Sequence, residues 1–262
     1  MKKSWKKGLA ALLMAASVGI ASAAGGSLYE KAPIDLGDRV SLQRGAQIFT
    51  NYCLSCHSAS GMRFNRLTDL GLTEDEIKKN LMFTTDKVGD VMHAAMSPAD
   101  AKKWFGAAPP DLTLIARSRG ADYLYAYLRG FYQDPTRPSG WNNTVFDKVG
   151  MPHVLWEQQG IRAVELDKDG QPVMVKDEHT GLMAPKLYWK TTGTMSRTLP
   201  DGNVLTKEYD NYARDLTNYL VYMGEPAQMK RKQIGYVVLM FLLAIMLPLA
   251  YFLKKEYWKD VH

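Results

Sequence analysis

The sequence predicts a mostly α protein: an exported helical domain with one β-hairpin excursion, followed by a single C-terminal transmembrane helix. Three observations predict it. Helix-capping patterns recur through the middle of the chain, and an alternating stretch with an Asp-Gly turn interrupts them near residue 169. Near the C-terminus, Ile234 to Leu253 is a run of twenty residues without a charge, the length a helix needs to cross the hydrocarbon core.

The chain opens "MKKSWKKGLAALLMAASVGIASAAGG". Lys2, Lys3, Lys6 and Lys7 make a basic start, Leu9 to Ile20 an apolar stretch, and Ala21-Ser22-Ala23 a small-residue cleavage site. That layout is a secretory signal peptide, so residues 1–23 are set apart from the fold. The exported domain then occupies 24–229, the anchor 230–253 and a cytoplasmic tail 254–262. Three basic residues precede the span (Lys230, Arg231, Lys232) and three follow it (Lys254, Lys255, Lys259). The flanking charges therefore tie, and the export signal sets the orientation. The expectation is a single-pass protein of a bacterial-type cell membrane, with its domain on the periplasmic side.

Charge argues against a nucleic-acid partner. The formal net charge is +6, but four lysines leave with the signal and six basic residues flank the span. Residues 24–228 carry 23 basic and 25 acidic residues, a net of −2. The basic character belongs to the membrane flanks and the signal.

Within the domain, "VSLQRGAQIFTNYC" places Leu42, Ala46, Ile48 and Phe49 on one helical face. Thr73 and Glu76 form a capping box, and Ser97, Pro98 and Gly106 mark the cap, first position and stop of the next helix. "PPDLTLIARSRG" and "ADYLYAYLRGFY" read as two helices divided by Gly120, the first capped by Asp111. Residues 133–150, rich in Pro, Gly and Asn, read as a loop, and about 161–205 as the β-hairpin excursion. A last helix presents Tyr209, Tyr212, Leu216, Leu220 and Met223 to the core and ends before Pro226.

The only two cysteines lie in "NYCLSCHSAS". As a redox dithiol, Cys53 and Cys56 would want the strand-to-helix setting of a βαβ unit, and no such pattern surrounds them. Zinc would want further soft ligands from a chain that has no other cysteine. C-x-x-C-H is the spacing of covalent c-type haem: two thiols one helical turn apart as thioether anchors, with the next residue, His57, as the iron's proximal ligand. One motif implies one haem c and one electron at a time. That describes a relay with no substrate chemistry of its own.

An exported C-x-x-C-H, "PPDLTLIARSRG" about fifty residues later, "NTVFDKVGMPHVL", "YLVYMGEP" and a final span ending "YWKDVH" together resemble the cytochrome c1 family over nearly the whole mature chain. The resemblance implies a cytochrome c-like haem domain, the haem subunit of the ubiquinol–cytochrome c reductase (bc1) complex. It also implies the partners: cytochrome b and the Rieske iron–sulfur protein in the same complex, a cytochrome c as acceptor, and the lipid bilayer. By the same resemblance Arg119 would bond a haem propionate. Twelve methionines remain after the signal. Met151 falls where the family's sixth iron ligand lies, whereas Met183 in "GLMAPK" mimics the Met-Ala-Pro form of mitochondrial relatives.

This chain departs from the family in having Phe105-Gly106 where Asn-Gly is common, and in a longer excursion. His93, His153 and His179 are spare, and the acidic run Glu74-Asp75-Glu76 suits a helix N-terminus. Two other functions fit parts of the sequence: an anchored c-type carrier outside any bc1 complex, and an exported C-x-x-C thiol–disulfide oxidoreductase.

Overall fold

The structure is a computed structural model that describes residues 28–176 and 183–260. The signal read at 1–23, His179 and the last two residues lie outside them.

Two helices that are distant in sequence form the frame. α1 (Arg39–Ile48) starts at Asp38, whose side chain accepts from the Ser41 amide, and buries Leu42, Ala46 and Ile48 as the periodicity predicts. It crosses α7 (Lys207–Gly224), which buries Tyr209, Leu216, Leu220 and Met223. The helices touch at Gly45. A Cβ there would stand 2.1 Å from the Asp215 carbonyl oxygen and 2.6 Å from the Tyr219 Cβ. No other residue permits so close a crossing.

A polar knot ties that crossing. Asp215, only 3% exposed, accepts from the Ser41 hydroxyl at 2.6 Å, from Arg44 Nε at 2.5 Å and from Arg214 at 2.8 Å. Burial pushes its carboxyl up, but the hydrogen bonds from Arg44, Ser41 and Arg214 outweigh burial and hold it below the usual carboxylate range. Asn218 completes the knot, donating to Ser41 Oγ and to the Asp35 carbonyl.

Between these helices the chain winds through short elements. β1 (Ala59–Arg63) pairs antiparallel with β2 (Val91–Met92). A 3-10 turn (Phe64–Leu70) and α2 (Glu74–Asn80) lie between them, and α2 has its Thr73–Glu76 capping box in place. α3 (Pro98–Phe105) begins at Ser97 and stops at Gly106, whose φ of +79° is the left-handed stop that glycine adopts without strain. α4 (Ile115–Arg119) and α5 (Ala121–Arg129) are divided by Gly120. A single turn, α6 (Trp156–Gln159), completes the helices of this stretch.

The strand content exceeds the expectation. Nine α-helices stand beside ten short strands among the described residues. The predicted loop at 133–150 is bordered by β3 (Phe131–Gln133) and contains β4 (Trp141–Asn143). The stretch that reads as one hairpin holds β5 (Gly160–Val164), β6 (Met174–Lys176), β7 (Met183–Pro185), β8 (Leu187–Thr192), β9 (Arg197–Thr198) and β10 (Val204–Leu205). The predicted turn is there, with the Gly170 amide donating to the Asp167 carbonyl at 3.1 Å. Yet β5 and β8 do not stand off as an excursion. They join a four-stranded sheet in the order β4-β3-β5-β8, in which β5 runs parallel to β3. That pairing bridges 30 residues (Gln133↔Ala163), and a local alternation pattern carries no signal for it.

After α7, one helical stretch, Gln228–Tyr257, is the single helix among the described residues that is long and apolar enough to cross a membrane, and none of its residues is buried. It consists of α8 (Gln228–Phe241), a π-helical turn (Leu242–Met246) and α9 (Leu247–Tyr257). Pro248 follows the π turn. It lacks an N–H, and its ring crowds the preceding turn, which the wider π geometry relieves.

Removing the Asp215 charge tests the knot. Because the folded carboxyl is held below its unfolded value of about 3.9, the stability it contributes is full above that pH and is lost as pH falls through the folded value. Asp215→Asn should lower the unfolding free energy by about 2 kcal/mol at neutral pH, the scale of charge-assisted hydrogen bonds. It should also flatten the acid limb below about pH 4. Denaturant unfolding of the detergent-solubilised protein at several pH values reads both effects.

Candidate functional site

Four segments remote in sequence line a cavity of about 390 Å³. The walls are aliphatic and aromatic: Leu112 and Ile115, Tyr123, Leu124, Tyr127 and Leu128 from α5, Val149 and Val154, and Leu216 and Leu220 from α7. Cys53, Cys56, His57, Arg119 and Met151 all open onto it. The structure thus brings together every side chain the sequence singles out for the site.

Local geometry explains how the cysteines and the histidine share one wall. At the end of α1 the helix widens into a π turn, Phe49–Cys53, closed by the Leu54 amide donating to the Phe49 carbonyl at 3.0 Å. The Cys53 carbonyl then accepts from the amides of both Cys56 (3.0 Å) and His57 (2.7 Å). This winds residues 53–57 through one tight turn.

The His57 ring is oriented from across the cavity. Its Nδ1 lies 2.8 Å from the Pro110 carbonyl oxygen. A carbonyl only accepts, so Nδ1 is the protonated nitrogen and Nε2 keeps its lone pair. Burial pushes the imidazole pKa below its ordinary value, against the opposing pull of the Pro110 hydrogen bond and the Asp111 charge. The neutral, ligand-competent form is favoured.

Pro110 is in turn held in place by residues 111–113. The sequence predicts Asp111 as a helix cap; instead α4 begins only at Ile115, with no side-chain cap. Asp111 Oδ2 accepts from the Ser60 amide and Oδ1 from the Thr113 amide, each at 2.8 Å. The Leu112 amide donates to the Ser58 carbonyl at 2.8 Å, and the Gly61 amide to Thr113 Oγ1 at 3.0 Å. "PPDLT" is therefore stitched along residues 58–61, immediately after the histidine, and this fixes the carbonyl that orients the ring.

Met151 arrives on a loop built by asparagines. The Asn142 side chain accepts from the Asn143 and Lys148 amides and donates to Asp134 and Asp147. Asn143 donates to the Tyr127 carbonyl at 2.8 Å. Lys148, at φ +58°, is the one non-glycine residue with positive φ among the described residues, three positions before Met151. The Met151 sulfur meets the Tyr127 hydroxyl at 3.5 Å. Among the described residues Met151 is the one methionine lining the cavity; Met183 sits on β7, 61% exposed, beside a different depression. Arg119 lies 5.8 Å from the centroid of the Tyr123 ring at the cavity edge.

Two of the spare histidines, His93 and His153, stay outside the cavity. His93 is exposed, and His153 is buried, stacked on Phe131 at 4.7 Å. Burial holds His153 at about 3, neutral at any ordinary pH.

The donor set fits a haem. Among the described residues no group of three or more His, Cys, Asp and Glu side chains is arranged to hold a metal ion unaided. One free imidazole nitrogen, two unpaired thiols and one thioether around an apolar space match a porphyrin that brings its own four nitrogens. The thiol chemistry points the same way. A disulfide-exchange nucleophile needs a lowered pKa, whereas burial, with some help from Cys56, pushes Cys53 up to about 12.

Sequence reasoning passes over Tyr127, Asn142, Asn143 and the true role of Asp111. The asparagines carry a readable signal, since their side chains close turns by mimicking backbone; Tyr127 looks like one more core-facing aromatic.

Residues 29–261 match the Cytochrome C1 family. The chain is 49% identical over 233 residues to the ammonia monooxygenase gamma subunit of Nitrosomonas europaea, covering 89% of this chain and 88% of that protein. It is 46% identical over 255 residues to cytochrome c1 of Allochromatium vinosum, covering 97% and 98%. Cytochrome c1 of Rhodospirillum rubrum is 31% identical over 244 residues, covering 86% and 83%.

If the Asp111 clamp fixes His57 through Pro110, Asp111→Ala should shift the iron midpoint potential and reduce cofactor incorporation, as losses of outer-shell partners do. Redox titration of the purified protein measures the shift. An unchanged potential would show that Pro110 holds its place without the clamp.

Proposed function

The chain belongs to the cytochrome C1 family, and from that premise we propose that it is the haem subunit of a ubiquinol–cytochrome c reductase (bc1) complex. It takes one electron from the Rieske iron–sulfur protein and passes it to a cytochrome c. Its cofactor is one covalently bound haem c, which supplies a reversible one-electron iron couple. The observation that carries the reading is the meeting of two thiols, an imidazole of fixed tautomer and a thioether around one apolar cavity.

In this reading Cys53 and Cys56 are the thioether anchors, and His57, through Nε2, is the proximal ligand. Met151 is the sixth donor, which its place in the cavity wall supports. Arg119 at the cavity edge suits a propionate. Apolar walls keep water away and favour the less charged ferrous state, and a thioether donor acts in the same direction, raising the potential. Residues 1–23 act as the export signal, and 24–229 work on the periplasmic side with 230–253 as the single anchor in the bilayer and 254–262 as the tail. Cytochrome b shares the complex.

A second reading has one observation in its favour. The relative from Nitrosomonas europaea is named as a subunit of ammonia monooxygenase. That name favours an anchored c-type carrier serving a different membrane oxidoreductase. Affinity purification of the full-length protein from native membranes separates the two. Recovery with a b-type cytochrome and a [2Fe–2S] protein supports the bc1 assignment; recovery with monooxygenase subunits and neither of those supports the other.

Two further outcomes are expected. Acid–acetone extraction of the denatured protein should leave one haem per chain, and haem passing into the organic phase would refute the thioether assignment. Met151→Leu should abolish the weak near-infrared sulfur-to-iron band and lower the potential while haem stays attached. Transfer of both effects to Met183→Leu would move the ligand there.

A further inference from the structure

We propose that Tyr127 is a positioning residue for the sixth ligand: its hydroxyl donates a hydrogen bond to the Met151 thioether and thereby sets the potential of the site. The inference rests on the reading of Met151 as the iron's sulfur donor.

The geometry leaves this hydroxyl little choice. The Tyr127 ring is stacked on Tyr123 (centroids 5.9 Å apart, planes at 16°), and it meets Phe131 edge-on at 5.2 Å and 74°. Its main chain is pinned within α5, where the Tyr127 carbonyl accepts from Asn143 Nδ2 at 2.8 Å and from the Gly130 amide at 3.0 Å. Ring and backbone are therefore both fixed, and the hydroxyl projects into a largely apolar wall. There it reaches the Met151 sulfur at 3.5 Å, a normal distance for a hydroxyl donating to a thioether. Leaving a partly buried hydroxyl without an acceptor is costly, which favours the contact.

The acceptor is equally constrained. Met151 follows a loop whose turns are closed by Asn142, by the strained Lys148 and by Arg137 donating to the Lys148 carbonyl. Asn143 ties that same loop directly to the Tyr127 main chain. One asparagine thus links donor and acceptor segments and holds their separation.

The chemistry gives the sign. A thioether sulfur has two lone pairs, so donating one to a metal leaves the other free for a hydrogen bond. A donor on that second pair withdraws electron density and makes the sulfur a poorer electron source for the metal. With haem bound, ferric iron would draw more than ferrous iron on that sigma donation, whereas the soft thioether as a whole favours ferrous iron. A weakened donor would therefore raise the potential, while loss of the thioether would lower it. Hydrogen bonding around the ligands is a recognised lever on haem potential. Simple packing predicts otherwise, because a phenylalanine would stack on Tyr123 and Phe131 equally well.

Tyr127→Phe in the full-length, haem-loaded protein is the test, read by redox titration and near-infrared absorption, with Met151→Leu alongside. The expected result is a downward shift of the midpoint potential with the sulfur-to-iron band retained but displaced, and haem content and thermal midpoint close to those of the parent. If Tyr127→Phe leaves potential and band unchanged while Met151→Leu loses the band, the inference is overturned and the Met151 reading survives. If Met151→Leu itself keeps both band and potential, Met151 is not the ligand and both readings fall together. A potential that rises in Tyr127→Phe overturns the proposed sign and with it the mechanism.

Discussion

The hydrogen bond from His57 Nδ1 to the Pro110 carbonyl is the constraint around which the domain is organised. Bringing those two atoms together requires residues 53 apart to meet. That meeting demands that the segment after the prolines lie along residues 58–61, as the Asp111–Ser60 and Leu112–Ser58 bonds make it do. Once placed, this segment leads directly into α4 and α5, which supply Arg119, Tyr123 and Tyr127 to the cavity. The opposite support comes from the α1–α7 crossing, where Gly45 permits the close approach and Asp215 anchors it with charge-assisted bonds. One imidazole facing one way thus calls on most of the helical framework.

How much of this is legible in the sequence depends on how local the cause is. The capping box at Thr73 and the Ser97-to-Gly106 helix involve neighbours within one or two turns, and they stand where the pattern puts them. The thiols and His57 are contiguous, so their chemistry is readable from spacing alone. Long-range causes are not legible. Asp111 looks like a cap because caps are what aspartates before helices usually are; its partner Ser60 lies 51 residues earlier. The sheet around β5 reads as a detached hairpin because alternation shows that a segment is extended and gives no clue to its neighbour. Placing Met151 relies on the family resemblance, and its contact with Tyr127 needs coordinates.

The site also shows how polar and apolar roles are divided. The cavity walls are apolar, yet the residues that hold them in place are asparagines, aspartates and backbone amides set behind the walls. Every such group is paired by at least one hydrogen bond, which keeps its burial from becoming a penalty. The wall itself can then stay dry, which is the condition for a stable, finely set potential.

The π turn ahead of Pro248 carries a consequence for the C-terminal apolar helix. One residue more than an α-helical turn displaces everything beyond it by about 100° around the axis. The half of the helix nearest the domain and the half nearest the tail therefore offer differently directed stripes of side chains to their surroundings. Any neighbouring helix that follows one stripe through the first half loses it in the second. A straight partner can match only one half, so a second neighbour, or lipid, must cover the other. The apolar helix is thus, in lateral terms, two surfaces in series.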